Sequence, residues 1–405
     1  MKILVLNAGS SSQKSRLYEI KDTLPTLPPE PLWEGNADWT KEKGTATIEI
    51  TPAHGQAVTQ EISVGSRSEI VEMMLKTLWS GPTQVIEQLS DIDLVGHRVV
   101  HGGPHYTQSI RITEEVKEEI RRVSSFAPLH NPVNLEGIEI MERLLPNVPQ
   151  VAVFDTTFHS QMPLERVLYP GPYAWYEQDI RRYGFHGTSH QYCAGRTAHI
   201  LGRDLNALRI INCHLGNGCS VAAIQHGHSV DTSMGFTPIE GLMMGTRTGS
   251  IDPGILIYLQ REQHLSADQL DQIVNKQSGF LGISGVSNDL RHVEKAATEG
   301  NERAKLAIDM FIYRLRFFIG AMLASLGGAD AITFTAGIGE NAPEIRSAAC
   351  EAFGFINLKI DHEKNAASPV DQDIATPDSA IRVLVVHTEE DWQIAKESWN
   401  VLRKE

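Results

Sequence analysis

The chain has 405 residues, 41% of them hydrophobic and 21% charged, and its 50 acidic against 36 basic side chains give a formal charge of −14. That length exceeds one ordinary core and predicts two domains, while the composition excludes a disordered chain. The acidic balance argues against nucleic acid or an anionic membrane as partner, so any phosphate ligand has to be met by a few local cations.

No run approaches a membrane span, and the N-terminus lacks a signal-like apolar region. The four cysteines, Cys193, Cys213, Cys219 and Cys350, form no C-x-x-C pair. Cys213 and Cys219 are expected to face each other across a hairpin only through their spacing. All four read as reduced thiols of a cytoplasmic protein.

Lys2 to Leu6 is a short apolar run like a buried strand, ending in Asn7-Ala8-Gly9-Ser10-Ser11-Ser12-Gln13-Lys14. A strand feeding a Gly/Ser turn with a lysine is a phosphate-loop pattern, but Ala8 and Gln13 stand where the Walker A rule needs glycines. Hydroxyls and a lysine at a strand end would still serve a phosphate or a hydrated Mg²⁺, and a plain polar hairpin reads the same. Alternation in Ala46 to Thr51 predicts a strand, and Ser66 to Ser80 has helical spacing. Arg98 then sits between a strand and Gly102-Gly103, with Val99 and Val100 beside it, which suits a small carboxylate. His97 and His101 lack a third ligand for zinc.

Thr113 to Ser125 reads as a charged helix, and a further helix ends near Leu145. Val151 to Phe154 is a strand whose first polar residue is Asp155, at the place where open α/β sheets put chemistry or where a turn aspartate would sit. His186 and His190 have an i, i+4 spacing, yet Gly187 replaces the glutamate of a metalloprotease. Ile210-Ile211, the turn His214 to Gly218, and Ser220 to Ile224 predict a β-hairpin whose glycines admit backbone N–H groups to a phosphate. Arg247 lies between glycines and hydroxyls in Gly245 to Gly249, as a ligand cation or as a structural ion pair.

Two helices are predicted over 253–265 and 266–275, then a glycine-punctuated loop from Ser278 to Arg291 and a periodic helix from about Glu299 to Leu326. Ala331 to Thr335 is a strand running into a glycine turn, with a helix beginning at Pro343. Gly337-x-Gly339-x-x-Ala342 with Asp361 also fits a dinucleotide fingerprint, but too little chain follows for both halves of such a domain. Val383 to Val386 delivers Glu389, Glu390 and Asp391 to a terminal helix, as metal ligands or as complements to its dipole.

The glycine-turn device occurs twice at strand ends, each time opening a set of strands followed by helices. This resembles the acetate and sugar kinase, Hsp70 and actin superfamily: an α/β fold of two duplicated, ribonuclease H-like domains, mixed sheets flanked by helices, with a nucleotide cleft between them. LNAGSSSQK near the N-terminus, GHRVVHGG at 96–103, FDTTFH at 154–159, YGFHGTSH at 183–190, HLGNG at 214–218, MGTRTGSIDPG at 244–254, AGIGEN at 336–341 and TEED at 388–391 together resemble the acetate kinase family. They occur in that family's order and span nearly the whole chain.

The resemblance implies reversible, Mg²⁺-dependent phosphoryl transfer from ATP to acetate, giving acetyl phosphate and ADP, with Mn²⁺ as a substitute metal and a homodimer as the assembly. Asn7 and Glu390 would serve the metal. Lys14, His214, Leu215, Gly216, Asn217, Gly218, Asp289, Leu290, Arg291, Gly337, Ile338, Gly339, Glu340 and Asn341 would line the ATP site. Arg98 would bind the carboxylate, His186 and Arg247 would stabilise the transition state, and Asp155 is the family's acid/base residue. Val100, Leu129, Phe185 and Pro238 would pocket the acetate methyl. Gln13 and Ser15 depart from the family's aliphatic or aromatic residues beside Lys14.

Acetate is already ionised at pH 7, so the nucleophile has no proton to lose and Asp155 is better read as orienting the metal, a water or Arg98. Residues 1–155 with 385–405 are expected to form the acetate-side domain, and 156–384 the nucleotide domain with the dimer contacts. A propionate or butyrate kinase is the near alternative, and a non-catalytic ATP switch the distant one, which would have no use for an acyl pocket.

Overall fold

The computed structural model describes residues 1–9, 12–39, 45–63 and 66–404, so Ser10 and Ser11 of the first glycine turn lie outside the described residues. By its contacts the chain divides into two compact units, Met1–Thr157 with Glu389–Glu405, and Phe158–Thr388.

The first unit is built on eight strands: β1 (Lys2–Ala8), β2 (Ser12–Glu19), β3 (Trp33–Asp38), β4 (Thr45–Pro52), β5 (Val58–Ser63), β6 (Leu94–Val99), β7 (Ile110–Arg111) and β8 (Gln150–Phe154). They form one sheet in the order β5-β4-β3-β2-β1-β6-β8-β7. The near-continuous apolar run of β1 is explained by its place: it pairs antiparallel with β2 and parallel with β6, and Ile3 to Leu6 are buried. Helix Arg67–Lys76 starts at a capping box made by Ser66 and Glu69, and Thr113 caps Glu114–Arg122. The terminal helix Glu390–Lys404 packs on β1, β6 and β8. Gly96 permits that approach, since a Cβ there would lie 2.4 Å from Ser398 Oγ.

His97, buried in β6, donates from Nε2 to Gln150 Oε1 at 2.6 Å, and burial, only partly offset by that bond, lowers its pKa to about 4. An unfolded histidine protonates near 6.5, so the unfolded chain takes up a proton that the folded one refuses until about pH 4. Stability from this group is fully present above 6.5 and lost as the pH falls through 4, by roughly 3 kcal/mol. In denaturant titrations at pH 7 and pH 4.5, His97→Gln should narrow the gap in unfolding free energy that the wild type shows.

The second unit repeats the plan with β9 (Arg209–Leu215), β10 (Cys219–Gln225), β11 (His228–Thr232), β12 (Ala331–Thr335), β13 (Gln372–Asp373) and β14 (Arg382–Val385), in the order β11-β10-β9-β12-β14-β13. The series β3-β2-β1-β6-β8 of the first sheet matches β11-β10-β9-β12-β14 of the second: an antiparallel meander whose first strand takes two further strands in parallel. The predicted duplication is therefore real. The hairpin at His214 to Gly218 forms as expected, but its register sets Cys219 opposite Leu215 and Cys213 opposite Val221, so the two thiols do not face each other.

Local glycine content misled the reading of two stretches. The segment expected as a loop from Ser278 contains helix Gly279–Ser284 and runs into helix Leu290–Thr298. Gly279 enters at φ +63°, and Phe280 packs on Phe311 of the long helix Glu302–Leu326 with ring centroids 4.9 Å apart. Burial of that ring outweighs the glycines' weak helix propensity. Likewise Ala336–Asn341 is a short helix rather than an open turn, followed by the helix expected at Pro343. Asp361, the acid of the dinucleotide alternative, caps helix His362–Ala366 through the Lys364 amide. Among the described residues no helix is long and apolar enough to cross a membrane.

Candidate active site

In the first unit, β1, β6 and β8 end at neighbouring points and bring Asn7, Arg98 and Asp155 together, joined by the start of the terminal helix. Arg98 Nε lies 3.1 Å from both carboxylate oxygens of Asp155, and Nη2 lies 2.6 Å from Oδ2. Asp155 is buried, so this is a charge-assisted pair that fixes the guanidinium plane. Arg98 Nη1 donates at 3.4 Å to Asn7 Oδ1, and Asn7 Nδ2 donates at 2.8 Å to Asp391 Oδ1. Arg16 holds Asp391 in turn, at 3.3 Å, and Glu389 at 2.6 Å. Asn7 thus presents its oxygen to the centre because Asp391 takes its amide nitrogen.

Burial alone would lower the pKa of Arg98, but Asp155, then Glu390 and Asp391, raise it. The Glu390 carboxyl is pushed up to about 7, first by burial and then by Asp155 and Asp391, against the relief given by Arg98 and Lys14. A carboxyl raised mainly by burial is one whose ionised form a cation brought beside it would favour. With Asn7 Oδ1 it supplies hard oxygen donors, which suit Mg²⁺, an ion that keeps waters and phosphate oxygens for its remaining positions. Among the described residues no three His, Cys, Asp or Glu side chains cluster as a self-sufficient metal cage. Lys14 is exposed on β2 opposite Asn7. Beside it Gln13 and Ser15 are both buried, and Gln13 Nε2 donates to Ser15 Oγ at 3.3 Å, a buried polar pair.

In the second unit the tight turn of Gly216 to Gly218 organises the site. A Cβ on Gly218 would meet His186 Nε2 at 3.4 Å and Arg247 Nη1 at 3.5 Å, which places both side chains on that turn. His186 precedes helix Gly187–Leu201 with φ +55°, a left-handed conformation that costs a histidine free energy and is held by its surroundings. Its ring stacks on His214 at 4.2 Å between centroids. Arg247 Nη1 donates to the Pro238 carbonyl at 3.1 Å and touches Met244 Sδ at 3.8 Å. Among the described residues it has no carboxylate partner, and burial lowers its pKa. Gly245 lets Asn217 lie close, because a Cβ there would fall 1.9 Å from Asn217 Oδ1 and force that side chain to move, and would sit 3.0 Å from the Asn288 carbonyl.

A cavity of ≈ 620 Å³ lies beside this turn, lined by Gly216, Asn217, Asn288, Asp289, Leu290, Arg291, Glu294, Gly337, Ile338, Asn341 and Ala342. Eight of the residues expected at the nucleotide line it, drawn from three segments distant in sequence. Gly218 stands beside His186 instead, Leu215 and Gly339 are buried, and His214 is held by Ser189 at 2.8 Å. Glu340 turns away to accept from the Ala336 amide at 2.8 Å and from His387 Nδ1 at 2.6 Å. Asn288 and Glu294 were not anticipated, and Ala342 entered only through the rejected dinucleotide fingerprint. Asn288 donates to Asn217 Oδ1 at 3.2 Å, and its only sequence signal was adjacency to Asp289. Of the residues expected around the acetate methyl, Val100 and Phe185 are buried, Pro238 is half-buried and Leu129 is exposed.

The acetokinase family model matches residues 2–396. The chain belongs to the acetokinase family. It is 60% identical over 403 residues to the acetate kinase of a Cyanothece species, covering 100% of this chain and 99% of that protein. The crystal structure of Porphyromonas gingivalis acetate kinase superimposes with a TM-score of 0.90 at 41% identity, with 99% of each chain covered. A propionate kinase from Francisella tularensis superimposes with a TM-score of 0.89 at 38% identity, again with 99% of each chain covered. The fold is thus that of the acetokinase family, a duplicated α/β architecture of two mixed sheets flanked by helices.

Proposed function

We propose that the protein is an acetate kinase, which transfers the γ-phosphoryl group of ATP directly and in line to acetate, reversibly, giving acetyl phosphate and ADP. The observation that carries the chemistry is Arg247, a half-buried residue without a carboxylate partner among the described residues, set with His186 at a glycine turn beside a nucleotide-sized cavity. Phosphoryl transfer asks mainly for alignment and for positive charge around the equatorial oxygens. An unneutralised cation meets that need where a paired one would not.

The second unit contributes the nucleotide cavity, His186 and Arg247. The first contributes Arg98 for the acetate carboxylate, oriented by Asp155 rather than deprotonating anything. Mg²⁺, when bound with the nucleotide, neutralises charge on the phosphates, and Asn7 and Glu390 are the side chains that would serve it. Val100, Leu129, Phe185 and Pro238 are the residues for the methyl pocket. Identity near 60% to a protein named acetate kinase, against 38% to one named propionate kinase, favours acetate.

The test is trapping of the acyl phosphate as a hydroxamate, with purified protein, Mg-ATP and each of acetate, propionate and butyrate. Product forming fastest with acetate is expected. ATP binding without any acyl phosphate would favour a nucleotide switch instead.

The protein also acts, in this reading, as a homodimer through the second unit. Leu306, Met310, Tyr313 and Phe317 form an exposed apolar stripe at helical spacing, and helix Gly254–Glu262 has no buried residue although it carries Ile255, Ile257 and Tyr258. An apolar face of this kind calls for cover. Analytical ultracentrifugation should give twice the chain mass for the wild type and the single chain mass for Leu306→Glu/Phe317→Glu. A monomeric wild type would refute the assembly.

A further inference from the structure

His186 reaches the glycine turn with its Nε2 edge, while its Nδ1 lies 2.9 Å from Ser220 Oγ. Behind that contact the hydrogen bonds continue inward. Ser220 Oγ is also 2.7 Å from His190 Nε2, and His190 Nδ1 is 2.8 Å from Asn212 Nδ2. Ser220, His190 and Asn212 are all fully buried, on β10, on helix Gly187–Leu201 and on β9. Ser220 and Asn212 were singled out by no sequence motif, and His190 only as half of the i, i+4 pair rejected as a metalloprotease motif.

The chain has a direction. An amide nitrogen only donates, so His190 Nδ1 accepts from Asn212. His190 stays neutral, because burial and then His159 and His214 keep its pKa well below the usual histidine value. A neutral imidazole accepting at Nδ1 carries its proton on Nε2, which therefore donates to Ser220 Oγ. The single serine proton is left to donate to His186 Nδ1. A neutral His186 accepting there carries its own proton on Nε2.

Reversing the Asn212 amide would reverse every step, but it would place two N–H donors where Oδ1 now lies, buried and without a partner. A carbonyl-type oxygen tolerates that position better than an orphaned N–H.

We propose that Asn212, His190 and Ser220 are positioning residues, a relay that holds His186 as its Nε2–H tautomer so that a neutral imidazole donates a hydrogen bond to the phosphoryl group in transfer. The proposal rests on the reading of His186 as part of the phosphoryl-transfer site. The Nε2 edge is the one that faces the glycine turn beside Arg247, so a hydrogen bond donated from it acts where the phosphoryl group would lie.

The experiment is long-range ¹H–¹⁵N correlation spectroscopy of the ligand-free full chain labelled at histidine, with the His186 signals assigned through His186→Asn. The wild type should show His186 protonated on Nε2 and bare on Nδ1. Asn212→Asp, whose carboxylate only accepts, should invert His186 to the Nδ1–H form and lower kcat by about 10²-fold, with KM within a few-fold, as loss of one hydrogen-bond donor to the transition state does. Ser220→Ala, which keeps the fold's packing, should leave His186 a mixture of tautomers and lower kcat by about tenfold, and Ser220→Thr should restore both. A wild-type His186 protonated on Nδ1, alone or together with Nε2, overturns the relay. So does an unchanged tautomer in the folded Ser220→Ala and Asn212→Asp proteins. Because the spectra need no turnover, loss of the acetate kinase reading in the hydroxamate assay would leave the tautomer result standing, and the two failures stay distinct.

Discussion

Arg247→Leu lowers kcat by about 10²-fold or more while KM for ATP and for acetate stays within a few-fold. The expectation follows from what the guanidinium touches in the protein: one carbonyl, one thioether and no carboxylate among the described residues. Its charge is left for a group that becomes more anionic at its equatorial oxygens, so its contribution grows toward the transition state rather than at substrate binding. Leucine keeps much of the volume and the contact with Met244, so the fold should persist. Steady-state kinetics with both substrates check the split. A large rise in KM with kcat preserved would make Arg247 a ground-state anchor instead.

Arg98→Ala removes both stability and activity, and the two losses can be separated. Asp155 is buried and takes three close nitrogen contacts from Arg98, while Glu390 and Asp391 add negative charge nearby. Deleting the cation leaves that charge uncompensated, which costs about 3–5 kcal/mol when one partner of a buried pair is lost. Acyl phosphate formation should fall by about 10³-fold, since a charge-assisted, oriented contact to the acetate carboxylate is gone. Adding Asp155→Asn should recover most of the stability, because an amide tolerates burial without a cation, and none of the activity. Denaturant unfolding and hydroxamate trapping, run on the same four proteins, check both halves. Asp155→Asn alone probes the orienting role. If it kept most of its activity with an unchanged Mg²⁺ dependence, Asp155 would not be what holds Arg98 in place.

Much of this site was legible before any coordinates. Strand ends announce themselves locally, because a run such as Lys2 to Leu6 or Val151 to Phe154 stops being apolar where the strand leaves the hydrophobic core, and Asn7 and Asp155 stand, still buried, at those stops. The hairpin at His214 to Gly218, the caps at Ser66 and Thr113, and the helix starting at Pro343 are likewise encoded within a few residues. A duplicated domain was inferred from the repeated glycine turn, and the two sheets share the matching strand order.

What sequence could not supply is which polar groups meet. The bond between Asn7 and Asp391 spans 384 positions and the Arg98 pair with Asp155 spans 57, and nothing local selects one carboxylate from 50. The orientation of Asn7 follows only once the terminal helix lies on β1, β6 and β8. Asn288 reaches the cavity because Asn217 crosses to it over Gly245, and Gly279 to Ser284 turns helical because Phe280 finds Phe311. Ser220 and Asn212 read as ordinary residues of a hairpin and His190 only as half of a rejected metal pair, and their relay exists only through packing. The sequence by itself determined the strand ends, the turns and the set of chemical groups, since these depend on neighbours along the chain. The tertiary structure alone decided which groups are paired, which cation is left unneutralised and which nitrogen carries a proton, since burial and contact set those energies and both arise between segments far apart in sequence.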